Sequence, residues 1–176
     1  MPDTKTAASA LFGGAVTVEG GQVQLHDAAA LKSAHLDAMV HQAVFGDEGE
    51  RTVARWLIWE LGQIVGVRPA SIHDLYIARG QGKCGGFTVP AINVRGVTYD
   101  TARAIFRTAL AMDAGAFIFE IARSEIAYTE QRPSEYVAVI LAAALREGYT
   151  GPIFIQGDHF QVNHKKFAVD PVTEVN

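Results

Sequence analysis

An α/β fold with a parallel sheet is predicted for this chain, and three observations predict it. Three short apolar runs, residues 87–94 (FTVPAINV), 116–122 (AFIFEIA) and 152–155 (PIFI), read as strands because they are rich in β-branched and aromatic residues and flanked by glycine. Their starts, Phe87, Ala116 and Pro152, lie 29 and 36 residues apart, which leaves room for one crossover helix between each pair. The runs are almost continuously apolar, as strands covered on both faces are.

The crossover segments support this reading. After the first strand, Ala102, Ile105, Phe106, Ala109 and Leu110 recur at helical spacing, and after the second comes SEYVAVILAAALREG, residues 134–148. Thr98 and Asp100 are placed to begin the first helix, and Glu130, Arg132 and Glu135 to begin the second.

Residues 1–86 follow a different grammar and are expected to form an accessory region of one hairpin and several helices. AVTVEGGQVQLHD alternates around Gly20-Gly21, a tight-turn signal because paired glycines accept positive φ. Helical periodicity then predicts one helix from Ala29 to Phe45 with Leu31, Ala34, His35, Ala38 and Met39 on its face. A second runs from Glu48 to Val65 with Val53, Trp56, Leu57, Glu60, Leu61 and Ile64, and a third from about Pro69 to Arg79.

Composition narrows the function classes. The chain has 176 residues, 49% of them hydrophobic, a mean hydropathy of +0.12 and a pI near 5.8, so a sizeable core is expected. A net charge of −4, with Lys165-Lys166 as the only basic doublet, argues against nucleic-acid or anionic-membrane partners. The longest apolar stretch is too short to span a bilayer, and a single cysteine, Cys84, fits a reducing compartment; a cytoplasmic protein is expected.

GQGKCG, residues 80–85, matches the dinucleotide-binding pattern, with Asp100 twenty residues after Gly80. That pattern must leave a strand and open a helix, whereas here it leaves a helical segment and enters a strand. A connector is expected instead.

In a parallel sheet the polar residues at the strand ends share one rim. These are Asn93 and Arg95, then Glu120, Arg123, Ser124 and Glu125, then Gln156, Asp158 and His159. Arg123 and Glu125 read equally well as a surface ion pair. Asp158-His159 demands more, because ionisable residues ending an apolar strand must be paired, hydrated or metal-bound. Imidazole is a common zinc ligand and a carboxylate beside it can act as acid or base, although one histidine is not a site.

The three segments FTVPAINVRGVTYDTARAIFRTAL, AFIFEIARSEIAYTEQRP and REGYTGPIFIQGDHFQVNHKKF resemble class II, zinc-dependent aldolases of the fructose-bisphosphate and tagatose-bisphosphate kind. The resemblance covers about residues 70–176 and rests on Pro90-Ala91-Ile92-Asn93 and on Asp158-His159. It implies that residues 87–176 are the first part of a TIM (βα)8 barrel, about three βα strands of a fold that takes about 250 residues. It further implies that His159 is a zinc ligand and that Asp158 is the acid/base for the C4 hydroxyl proton. Asn93, Ser124 and Arg123 are then the residues that orient a sugar phosphate. In such a reaction Zn²⁺ stabilises the enediolate left by carbon–carbon cleavage.

The resemblance places the remaining zinc ligands beyond Asn176, so the chain is expected to be the N-terminal portion of a longer enzyme, inactive alone and homo-oligomeric when complete. The EIARSE turn departs from the small-residue turn of many family members and leaves the identity of the sugar phosphate open. The alternative is a non-catalytic companion subunit of a tagatose-bisphosphate aldolase-type complex, whose relatives also carry Gly-Asp-His here.

Overall fold

The computed structural model describes residues 4–175. Helix α1 (Thr4–Phe12) leads into the hairpin β1 (Val16–Glu19) and β2 (Gln22–Leu25), paired antiparallel across Gly20 and Gly21. Both glycines have positive φ, 58° and 80°, as the sequence predicts for this turn.

The expected helix from Ala29 to Phe45 is broken at Ser33. Residues Ala28–Lys32 form a 3₁₀ turn, and Ser33, in extended conformation, caps α2 (Ala34–Phe45) by accepting the His35 N–H at 3.2 Å. The break resets the helical phase. Leu36, Met39, Val40 and Ala43 are buried, while Ala34, His35 and Ala38 of the expected face are exposed.

Helix α3 (Glu48–Val65) has the predicted bounds. Its start is a reciprocal cap in which Asp47 accepts the Glu50 N–H and Glu50 accepts the Asp47 N–H, both at 2.9 Å, and its end is Gly66 at φ 80°. Of its expected face Val53, Leu57 and Leu61 are buried and Ile64 is half in solvent.

A strand the sequence did not signal follows at once. β3 (Val67–Ala70) contains Arg68 and Pro69, and it lies at a sheet edge, where proline's missing N–H leaves no ladder bond unmade. Then come α4 (His73–Gly80), β4 (Ala91–Asn93), α5 (Thr98–Ala111), β5 (Ile118–Ala122), α6 (Arg123–Thr129), α7 (Pro133–Glu147), β6 (Gly151–Asp158), α8 (His164–Val169) and α9 (Pro171–Val175). Gly80 ends α4 and the next helix begins at Thr98, so the GQGKCG segment does not open a helix, as expected.

The sheet is parallel, with order β3-β6-β5-β4. β4, β5 and β6 are therefore neighbours in sequence order, and β3 pairs with the far edge of β6. Of the predicted 87–94 strand only Ala91–Asn93 pairs, and both edge strands are short.

Register separates the two faces, since paired residues of parallel strands point the same way. Ile92, Phe119 and Ile155 form one row and belong to the core with Val67, Ile121 and Ile153. Asn93, Glu120 and Gln156 form a row on the opposite face, all half-buried.

On the core face α5 reaches β5 through Phe106, whose ring lies 5.2 Å from Phe119. Helix α7 is buried without interruption from Ala138 to Leu145, and its Tyr136 hydroxyl donates to the Glu120 carbonyl at 2.8 Å. Helices α2 and α3 pack against α7, and one core runs from Ala8 to Ile153.

Gly62 marks the closest approach of α3 to β3. A Cβ there would sit 2.9 Å from the Val67 carbonyl oxygen. Alanine is the better helix former by about 1 kcal/mol, yet overpacking against backbone costs about 1–3 kcal/mol. Gly62→Ala is therefore expected to destabilise, with Tm lower by roughly 2–8 °C in a thermal melt; a raised Tm would mean that α3 can move off the strand.

Candidate active site

Three strands deliver polar side chains to one end of the sheet. Asn93 is the last residue of β4 and Asp158 the last of β6, while β5 ends at Ala122 and passes directly into α6. Parallel pairing puts these ends on the same rim, where α/β folds place their chemistry.

The strongest link joins residues 65 apart in sequence: the Asn93 Nδ2 donates to Asp158 Oδ2 at 3.1 Å. Asp158 Oδ1 lies 2.6 Å from His159 Nδ1. A carboxylate only accepts, so Nδ1 carries the proton and the Nε2 lone pair of a neutral ring is left over. His159 has φ 52°, a left-handed conformation that histidine adopts more readily than most residues, and its side chain is 77% exposed. The reversal at His159 turns the chain off the sheet, and Phe160 packs over Gly157, where a Cβ would meet its ring at 2.5 Å.

Glu125 is the buried member of the cluster, 4% exposed. Its Oε2 accepts the Ala122 N–H at 2.8 Å, closing the first turn of α6, and its carboxylate takes a forked hydrogen bond from Asn93 Nδ2 at 3.3 and 3.5 Å. Arg95 Nε donates to Oε1 from the side facing solvent. Burial raises the Glu125 pKa, but the Ala122 N–H, the Asn93 amide and Arg95 together outweigh it, so the group sits below the ordinary glutamate range. The hydrogen bond from His159 likewise holds Asp158 below the ordinary aspartate range, against the opposing effect of burial, and Asn93 adds to it. Both carboxylates are charged at neutral pH. In the same row as Asn93, Gln156 Nε2 donates to Glu120 Oε1.

The structure brings Asn93, Asp158 and His159 together and sends the other two candidates elsewhere. Arg123 Nη1 pairs with Glu174 of α9 at 3.1 Å and donates to the Gln161 carbonyl at 3.3 Å, so it holds the segment after His159. Ser124 is exposed in the first turn of α6 and its side chain has no hydrogen-bond partner among the described residues. Glu125, which sequence left undecided between ion pair and function, is the shared acceptor of the cluster. The signal that could have found it is its place three residues after the strand end, where a glutamate side chain folds back on the helix N-terminus.

For a metal, the donor chemistry of His159 fits. An imidazole that gives one ring N–H to a carboxylate is the usual form of a metal-binding histidine. Among the described residues no group of three or more His, Cys, Asp or Glu side chains is arranged to hold a metal ion. Among the same residues no helix is long and apolar enough to cross a membrane. Comparison with family models, curated proteins and solved structures finds no match for this chain.

Glu125 gives the acid limb of stability a definite sign. Its pKa is lower in the folded than in the unfolded chain, so its contribution is complete above the unfolded value, about 4.3, and is lost as pH falls through the folded value. Glu125→Gln is expected to cost about 1–3 kcal/mol at pH 7 by chemical denaturation, because charge-assisted hydrogen bonds are lost. As pH falls through the folded value the variant and the wild type should converge; a gap that stays constant with pH would show that the carboxylate charge is not what matters.

Proposed function

We propose that the rim formed by Asn93, Asp158 and His159 is the acid/base and metal corner of a class II, zinc-dependent aldolase. The substrate class is a ketose bisphosphate such as fructose or tagatose 1,6-bisphosphate, and β4, β5 and β6 are the first strands of a TIM barrel. The observation that carries the reading is the convergence of Asn93 on Asp158 across the sheet, with the Asp158–His159 hydrogen bond leaving Nε2 free. The resemblance of the same segments to class II aldolases supports it.

Each residue then has one task. The Asp158 carboxylate takes the proton from the hydroxyl across the breaking carbon–carbon bond and returns it in the synthetic direction. Its low pKa keeps it ready to accept. His159 supplies one zinc ligand. Zinc, when bound, would polarise the ketone and stabilise the negative charge that develops there on cleavage. Catalytic zinc takes three protein ligands as a rule, so the reading requires further ligands besides His159.

Asp158→Asn separates the tasks, because an asparagine oxygen still accepts the His159 N–H but cannot take a proton. In the protein as its native cell makes it, the variant is expected to lose about 10²–10⁴-fold in aldol cleavage with zinc content unchanged. Loss of zinc would contradict the division of roles, and undiminished cleavage would contradict the site. Activity of the wild type that appears only on adding a second polypeptide would make the chain a companion subunit.

A further inference from the structure

The Asn93 carboxamide is a planar group with opposite ends, an acceptor oxygen and a donor nitrogen. It lies between two carboxylates, and only its NH₂ can face both. Nδ2 donates to Asp158 Oδ2 at 3.1 Å and to Glu125 Oε2 and Oε1 at 3.3 and 3.5 Å. Its Oδ1 receives no hydrogen bond from the described residues. Since no buried side-chain oxygen or nitrogen among them lacks a partner, Oδ1 is open to solvent.

The two carboxylates do not constrain the amide equally. Asp158 has a side chain 27% exposed that can turn toward water. Glu125 is pinned, buried at 4% exposure with Oε2 on the Ala122 N–H and Oε1 on Arg95. A flipped Asn93 would set its oxygen against a carboxylate that can neither move nor protonate easily.

We infer that Glu125 is a positioning residue that locks the Asn93 carboxamide with its NH₂ toward Asp158 and its Oδ1 toward the occupant of the rim. The partner it selects is therefore a hydrogen-bond donor, a free hydroxyl of a polyol, and a ketone or phosphate oxygen is disfavoured at that point. The inference rests on the reading of this rim as the active site.

Two readouts test it in the full native protein. With ¹⁵N-labelled asparagine, the Asn93 side-chain protons are expected to exchange slowly in the wild type and fast in Glu125→Gln. With fructose 1,6-bisphosphate, Glu125→Gln is expected to lower kcat about 10–100-fold. Asn93→Ala lowers it comparably and the double variant no further, because Glu125 acts through Asn93. A merely structural glutamate would give additive losses. If Glu125→Gln does not fold, Glu125→Asp keeps the charge but withdraws it by one methylene, and the same loss is expected. Unchanged Asn93 exchange, or additive losses, would overturn the inference. A wild type inactive on every ketose bisphosphate would overturn the aldolase reading instead, and the exchange measurement would still decide whether Glu125 holds Asn93.

Discussion

Helix α7 has no solvent face from Ala138 to Leu145, and the rest of the structure is arranged to enclose it. A helix apolar all round must be surrounded. The sheet lies under it, α5 lies beside it, and α2 and α3 close the remaining side, so these two helices serve as cover for a crossover helix. Charged side chains then orient it. Arg55 of α3 pairs with Glu135 at 2.7 Å, Arg103 of α5 with Glu147 at 2.6 Å, and Arg146 with Asp37 of α2 at 3.1 Å. Partly exposed pairs of this kind add little stability, but they set where the ends of α7 fall.

That enclosure reaches the polar rim through the chain itself. Helix α7 joins β5 to β6, and its Tyr136 hydroxyl is bonded to the Glu120 carbonyl of β5. The ends of β5 and β6 are thus referred to one buried helix, and Ala122 and Asp158 stay in register. The rim holds a buried carboxylate at Glu125 only because the Ala122 N–H, Asn93 and Arg95 all converge on it. Uncompensated, a buried charge of this kind would be costly.

The sequence made the strands from 116 onward, the hairpin and the bounds of α3 legible, because their signals are local: apolar runs, paired glycines and helical periodicity. It hid β3, whose Val-Arg-Pro-Ala has one strand former, Val67, beside a proline and pairs with the open edge of β6. It also hid part of the face of α2, where after the cap at Ser33 Ala34, His35 and Ala38 turn outward and Leu36, Val40 and Ala43 turn in beside Met39. At the site, Asp158 and His159 stand out because polar residues end an apolar strand, and Asn93 because it ends another. Arg123 belongs to the same turn in sequence, yet its Glu174 partner is 51 residues away and is invisible to spacing. Glu125 resisted for the reverse reason: a cap and an anchor for a second side chain look alike until Asn93 is seen on the same carboxylate.

On the proposed function the rim would handle protons beside a ketone whose developing charge a bound zinc would stabilise. Its most direct test is deuterium exchange into a three-carbon ketone phosphate, followed by proton NMR, with the zinc-loaded native protein. The account predicts exchange at the carbon next to the carbonyl, abolished by chelation and restored by zinc. Absence of exchange in protein that carries zinc through His159 would contradict it.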